Sequence, residues 1–239
     1  MTEEMISEFQ QSLDPAARLA VLADPVPEHW QAYLSSDASH AQAAFRRELA
    51  SIAPYLPEPA AALEPYIKNG CLVVSSTYRL CRLVLLDAGE TLHVVWSRAP
   101  SLWSDARRAA AWTKLDRTAP EQYLWIMRNV MDGLTDLYGF GGPLNSGFVA
   151  TVERKIDTFA EAVWFDTLAA EHDPRDLVLT LSSGGGAYLA YDVSGKLGTG
   201  VEAKALLLDV KSHERPQAVP FLSYLDAWTQ IGLGAAELK

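Results

Sequence analysis

The chain is poor in the residues that most often announce chemistry. Only two of its 239 residues are cysteine, Cys71 and Cys81, both in apolar sequence. Two thiols are no disulfide framework. A pair of buried free thiols in a reducing compartment is the simpler reading, and a disulfide across a hairpin the alternative. The five histidines, His29, His40, His93, His172 and His213, form no His-x-x-x-His pair and meet no Cys-x-x-Cys, so no zinc site is written in the sequence. Long apolar runs are missing too: the longest, around Leu83–Leu86, is strand-sized. The start, Met1-Thr2-Glu3-Glu4-Met5, is acidic where a secretion signal is basic, and a cytoplasmic location is expected. Basic residues are the minority, 20 Lys and Arg against 30 Asp and Glu, for a net charge of −10. That balance disfavours nucleic acid and anionic membranes as partners and suits a basic protein partner.

What is present suffices for a folded protein: 49% of residues are hydrophobic and 21% charged. Residues 1 to about 68 read as helical. Asp14-Pro15 is a helix start, Asp24-Pro25-Val26-Pro27 a break, and Phe45, Leu49 and Ile52 one face of a helix over Ser39–Ala53. From Cys71 to Ser97 the period changes to that of strands, with Asp87–Glu90 as a turn, predicting a hairpin or meander. Ser104–Trp112 reads as helix. Thr118-Ala119-Pro120-Glu121 fits a capping box ahead of a helix with Leu124, Met127 and Met131 inward. Phe148–Val152 reads as a strand, Phe159–Ala170 as one helix, and Phe221, Tyr224, Leu225 and Trp228 as an amphipathic stripe. The plausible boundary lies near Pro100, giving residues 1–100 as a helical extension with a β-hairpin, and 101–239 as an α+β domain.

Two glycine clusters invite nucleotide readings. Gly184-Gly185-Gly186 is followed by strand sequence, and no Gly-Lys-Ser/Thr occurs, so a hairpin turn is preferred to a phosphate loop. Gly139-x-Gly141-Gly142 precedes Pro143 rather than a helix, which argues for a flexible or partner-facing loop. A triad of Ser182 or Ser183 with His213 and Asp192 lacks a Gly-x-Ser-x-Gly elbow. Asp132, Asp136, Glu153, Asp157, Glu161, Asp166, Glu171, Asp173 and Asp176 make the second half acidic. They read as a solvated face or as a surface for a basic partner.

From Thr118 onward the order of elements resembles the SUKH superfamily of cell-wall-assembly regulators, Syd-like proteins and toxin-immunity proteins. The resemblance rests on three stretches. Pro120-Glu121-Gln122-Tyr123 leads to the turn Asp132-Gly133. The pair Ser182 to Asp192 surrounds a glycine-rich turn with Tyr188 just after it. Asp209 to Glu214 then precedes the helix Val219-Pro220-Phe221-Leu222-Ser223-Tyr224-Leu225. The resemblance implies a toxin-neutralising protein-binding module whose recognition face holds Gly184, Gly185, Gly186, Tyr188 and Asp192, with Asp132 and Asp136 adding charge.

The expectation is therefore an α+β fold, a mixed or antiparallel sheet with helices on one side. The expected function is non-catalytic: a cytoplasmic, acidic protein-binding module without cofactor, metal, nucleic acid or membrane. Two rivals remain open. One is a hydrolase whose histidine and carboxylates meet only in three dimensions. The other is a regulatory or structural subunit using exposed aromatics.

Overall fold

Asp37 opens the first long helix. Its carboxylate accepts the Ser39 amide at 2.9 Å, satisfying one of the donors that a helix start leaves free, and caps α1 (Ala38–Ile52). Pro57, at a first helical position where no amide is needed, starts α2 (Pro57–Leu63). A 3₁₀ turn, Glu28–Leu34, precedes both and buries Trp30 and Tyr33. The computed structural model describes residues 26–74, 80–87, 92–99, 110–136 and 141–233. The expected helix start at Asp14-Pro15, most of the Ser104–Trp112 helix and the turn after Asp87 lie outside them.

Strands β1 (Ile67–Val74), β2 (Leu80–Asp87) and β3 (Leu92–Arg98) form the predicted antiparallel meander. Helices α3 (Ala110–Thr118) and α4 (Glu121–Asn129) follow, and then β4 (Asp132–Asp136) pairs with β3 to complete a four-stranded sheet. Residues from both sides of Pro100 thus share one sheet. The capping box does not form. Thr118 is the last residue of α3, and its hydroxyl donates to the Lys114 carbonyl at 3.0 Å instead of capping α4. Nor is Asp132-Gly133 a turn after the helix; it is the start of β4.

The second sheet is five-stranded and also antiparallel. It contains β5 (Ala150–Thr151), β6 (Leu177–Ser182), β7 (Ala187–Asp192), β8 (Lys204–Asp209) and β9 (Gln217–Pro220) in that order. The protein is therefore α+β, with antiparallel pairing throughout its two sheets. Helices and turns cover both faces of the second sheet, not one. Val178, Leu181, Leu189, Tyr191 and Ala205 face a large cluster shared with Trp30, Phe45, Tyr123, Phe221 and Leu225. Leu177, Leu179, Ala190, Leu206 and Leu208 face a smaller one with Phe159, Trp164, Phe165 and Leu168. The reason is in β6, whose Leu-Val-Leu-Thr-Leu run is buried at every position and has no polar side to offer water.

The outer layer of that smaller cluster is not the single helix expected over Phe159–Ala170. It is two short ones, α5 (Ile156–Phe159) and α6 (Phe165–Glu171). On one continuous helix, residues five apart diverge by about 140°. The turn between α5 and α6 lets both Phe159 and Trp164 reach the sheet, where each is buried. The final helix, α7 (Phe221–Gly232), buries Phe221, Leu225 and Thr229, a tighter stripe than the one expected.

Residues 141–149 join the two sheets. Pro143 accepts the Leu134 amide of β4 at 3.0 Å, while the amides of Gly141 and Leu144 donate to Ser182 and Thr180 of β6, both at 2.8 Å. Room exists only for glycine: a Cβ on Gly142 would lie 1.9 Å from the Leu134 carbonyl oxygen, and one on Gly141 2.2 Å from that of Gly232. The Gly139-x-Gly141-Gly142 motif thus supplies a buried seam through Gly141 and Gly142, not a partner-facing loop.

Candidate functional site

The Gly184-Gly185-Gly186 turn is the hairpin that the sequence suggested. Gly184 and Gly186 have φ of +75° and +103°, values that side chains resist. The Ser183 hydroxyl accepts the amides of Gly185 and Ala187, each at 3.1 Å, which locks the tip. Gly184 and Gly185 are exposed, and Tyr188 is half-buried with its ring 5.2 Å from that of Phe159. Val210 donates its amide to Gly186, and the Trp164 indole donates to the Asp209 carbonyl at 3.0 Å. The hairpin tip, the β8–β9 connection and the α5–α6 turn therefore meet at one end of the second sheet.

The acids assigned to the same face do not join it. Asp132 is buried, and its two carboxylate oxygens accept the Ser146 amide and hydroxyl, each at 2.7 Å. Across the ladder it stands opposite the buried Arg98, which donates to Asn145. Asp192 is also buried, with its carboxylate taking the amide and hydroxyl of Ser194 and the Leu197 amide. Burial with hydrogen bonds inside the fold makes both residues braces of the fold, not a surface for a partner. Asp136 pairs through its backbone with Val95 in the other sheet. No Ser–His–Asp triad forms either. Ser183 is occupied by the turn, Asp192 by its own loop, and His213 is exposed in the β8–β9 connection.

A run of exposed acids lies instead on the segment laid over the smaller cluster. Glu153, Asp157, Glu161, Asp166 and Glu171 are all exposed there, against two exposed cations, Arg154 and Lys155. Two large apolar side chains stand among them in water: Ile156 is 44% and Val163 65% exposed. The inner side of the same segment is anchored by Phe159, Trp164, Phe165 and Leu168.

Beneath the end of α6 is a cavity of about 190 Å³, floored by Trp164, Leu168 and Leu206 and edged by His172 and Arg215. His172 Nδ1 is buried, accepts or donates no hydrogen bond among the described residues, and lies 4.0 Å from Asp192 Oδ2. Arg215 reaches Glu171 at 3.5 Å. Thr167 supplies the hydroxyl of the lining, and neither serine nor cysteine contributes to it.

A further polar centre escaped the sequence reading. Arg82 is completely buried in β2. It pairs with the buried Glu48 of α1, and its guanidinium carbon lies 4.6 Å from the centre of the Phe45 ring and 5.3 Å from that of Trp30. The Tyr33 hydroxyl donates to Glu48 at 3.1 Å, and burial raises its pKa above the ordinary value. The sequence signal was one cation inside Leu80–Leu86, a run otherwise apolar. Neither Cys71 nor Cys81 is in a disulfide, and burial pushes the Cys71 thiol up to about 11. Among the described residues no three His, Cys, Asp or Glu could share a metal ion, and no helix is long and apolar enough to cross a membrane.

Comparison with family models, with curated proteins and with solved structures gave no match to this chain.

Proposed function

We propose that this chain is a non-catalytic protein-binding module that docks a basic partner protein on the acidic segment from Glu153 to Glu171. The observation that carries the reading is the pairing of exposed Ile156 and Val163 with five exposed acids on a rigidly anchored layer. Apolar side chains among charges of one sign suit an interface, where apolar contact supplies affinity and complementary charge supplies rate and selectivity. The exposed hairpin tip at Gly184 and Gly185, near Trp164 at the same end of the sheet, extends the face. The resemblance to SUKH proteins, many of which neutralise toxins, supplies the biological role: immunity by covering a basic toxin surface inside the cell. The test is to isolate the basic protein that this chain retains at low salt and to express it with and without this chain. Growth arrest relieved by this chain, but not by a Val163→Asp variant, supports immunity. A captured protein that is harmless by itself removes that role.

The cavity favours a second reading. A histidine near a carboxylate is what a hydrolase would need, and His172 Nδ1 lies 4.0 Å from Asp192 Oδ2, beyond hydrogen-bond reach. With Thr167 as the hydroxyl of the lining, the arrangement serves binding better than nucleophilic attack.

A further inference from the structure

The α6 cavity has the anatomy of a small-ligand site. Its floor is apolar, with Trp164, Leu168 and Leu206 presenting ring and branched carbons. Polar groups are confined to its edge, which fixes the orientation of a guest as in other small-molecule sites. At about 190 Å³ it is smaller than the cavities that enclose drug-sized molecules and has room for about six waters. Its occupant is therefore a fragment-sized molecule.

The edge decides the charge of that occupant. Arg215 is 73% exposed, and its partner among the described residues is Glu171, reached by one nitrogen at 3.5 Å. A guanidinium has five N–H donors in a planar fork, so most of this one is available above the apolar floor. Lys196 sets a second cation beside the same edge, with its ammonium 3.4 Å from the Glu171 carbonyl. The buried carboxylate nearest the cavity, Asp192, is already held by three hydrogen bonds from Ser194 and Leu197. His172 also lines the cavity, with its buried Nδ1 turned to Asp192, 4.0 Å from Oδ2.

From this arrangement we infer that the cavity binds a small monocarboxylate with an apolar tail, the tail on Trp164 and Leu206 and the carboxylate on the Arg215 fork. Arg pairs bidentately with carboxylates, and hydrogen bonds between charged groups are the strong ones. Glu171 competes for the same guanidinium and weakens the complex. The site adjoins the partner-binding face, since Trp164, Leu168 and Glu171 belong to both, but Arg215 and Leu206 take no part in that proposal.

Paired probes of one shape test the inference: 3-phenylpropionate and 3-phenylpropylamine, each titrated onto the full chain by calorimetry and by ligand-observed NMR. The expected result is saturable binding of the carboxylate and none of the amine. Arg215→Met weakens carboxylate binding about tenfold, the worth of a hydrogen bond to a charged group, and Glu171→Gln strengthens it. Ala218→Trp, which fills the cavity mouth from an exposed strand position, abolishes it while leaving the thermal transition in place. Stronger binding of the amine, carboxylate binding unchanged by Arg215→Met or Ala218→Trp, or no binding of either probe overturns the inference. Capture of the basic partner by the Arg215→Met variant, measured alongside, tells failure of this site from failure of the docking face.

Discussion

A single buried ion pair decides how the first sheet meets its helix. Arg82 occupies the row of β2 that also carries Val84 and Leu86 inward, and Glu48 sits on the face of α1 that carries Phe45, Leu49 and Ile52. Neither charge reaches water, so each depends on the other and on Tyr33. Glu48→Ala leaves the guanidinium stranded and should cost about 3–5 kcal/mol in urea denaturation. Replacing both partners at once, Arg82→Met with Glu48→Leu, should recover most of that loss, since an apolar pair of similar size needs no compensation. A double variant as unstable as the single one would show that the aromatic cage requires the cation. The thiols offer a second check. With Cys71 pushed up to about 11 and Cys81 buried, alkylation at pH 8 should be far slower in the native protein than in urea. At this scale the sequence was poorly legible. Asp192 was expected on a recognition face but is buried, accepting the amide of Ser194 two residues on, and the burial of Asp132 depends on Ser146, which only the fold brings near.

At the scale of elements, local pattern was a good guide wherever one strand or helix met its neighbour in sequence. The β1–β2–β3 meander, α1 and the β6–β7 hairpin were all readable from periodicity and turn residues. It failed where a break served a distant surface. The α5–α6 turn exists because the sheet beneath needs both Phe159 and Trp164, and no short-range spacing records that need. The glycines divide in the same way. Gly142→Ala drives a methyl against the Leu134 carbonyl and should remove most of the folding free energy, seen as loss of the cooperative thermal transition. Gly185→Ala meets nothing closer than the Ser183 hydroxyl at 3.5 Å, and should change stability by less than about 0.5 kcal/mol. Equal effects from the two substitutions would contradict the seam between the sheets.

The whole molecule joins two antiparallel sheets through residues 141–149 and turns one acidic layer outward. The sequence announced the acidic surplus but not its address. Of nine acids in the second half, Asp132 and Asp136 were singled out for the recognition face, yet folding sent Asp132 inward and left Glu153, Asp157, Glu161, Asp166 and Glu171 in water. Which charges face a partner is a property of topology, since a residue's exposure depends on strands and helices far from it in the chain. The most direct measurement is capture of partners from native lysate by this chain and by an Asp157→Lys/Glu161→Lys/Asp166→Lys variant, at low and high salt, read by quantitative mass spectrometry. The account predicts one stoichiometric basic protein at low salt, weakened by high salt as screened charges require and absent from the variant. Retention of that protein by the variant at full level, or no retained protein at either salt, would contradict it.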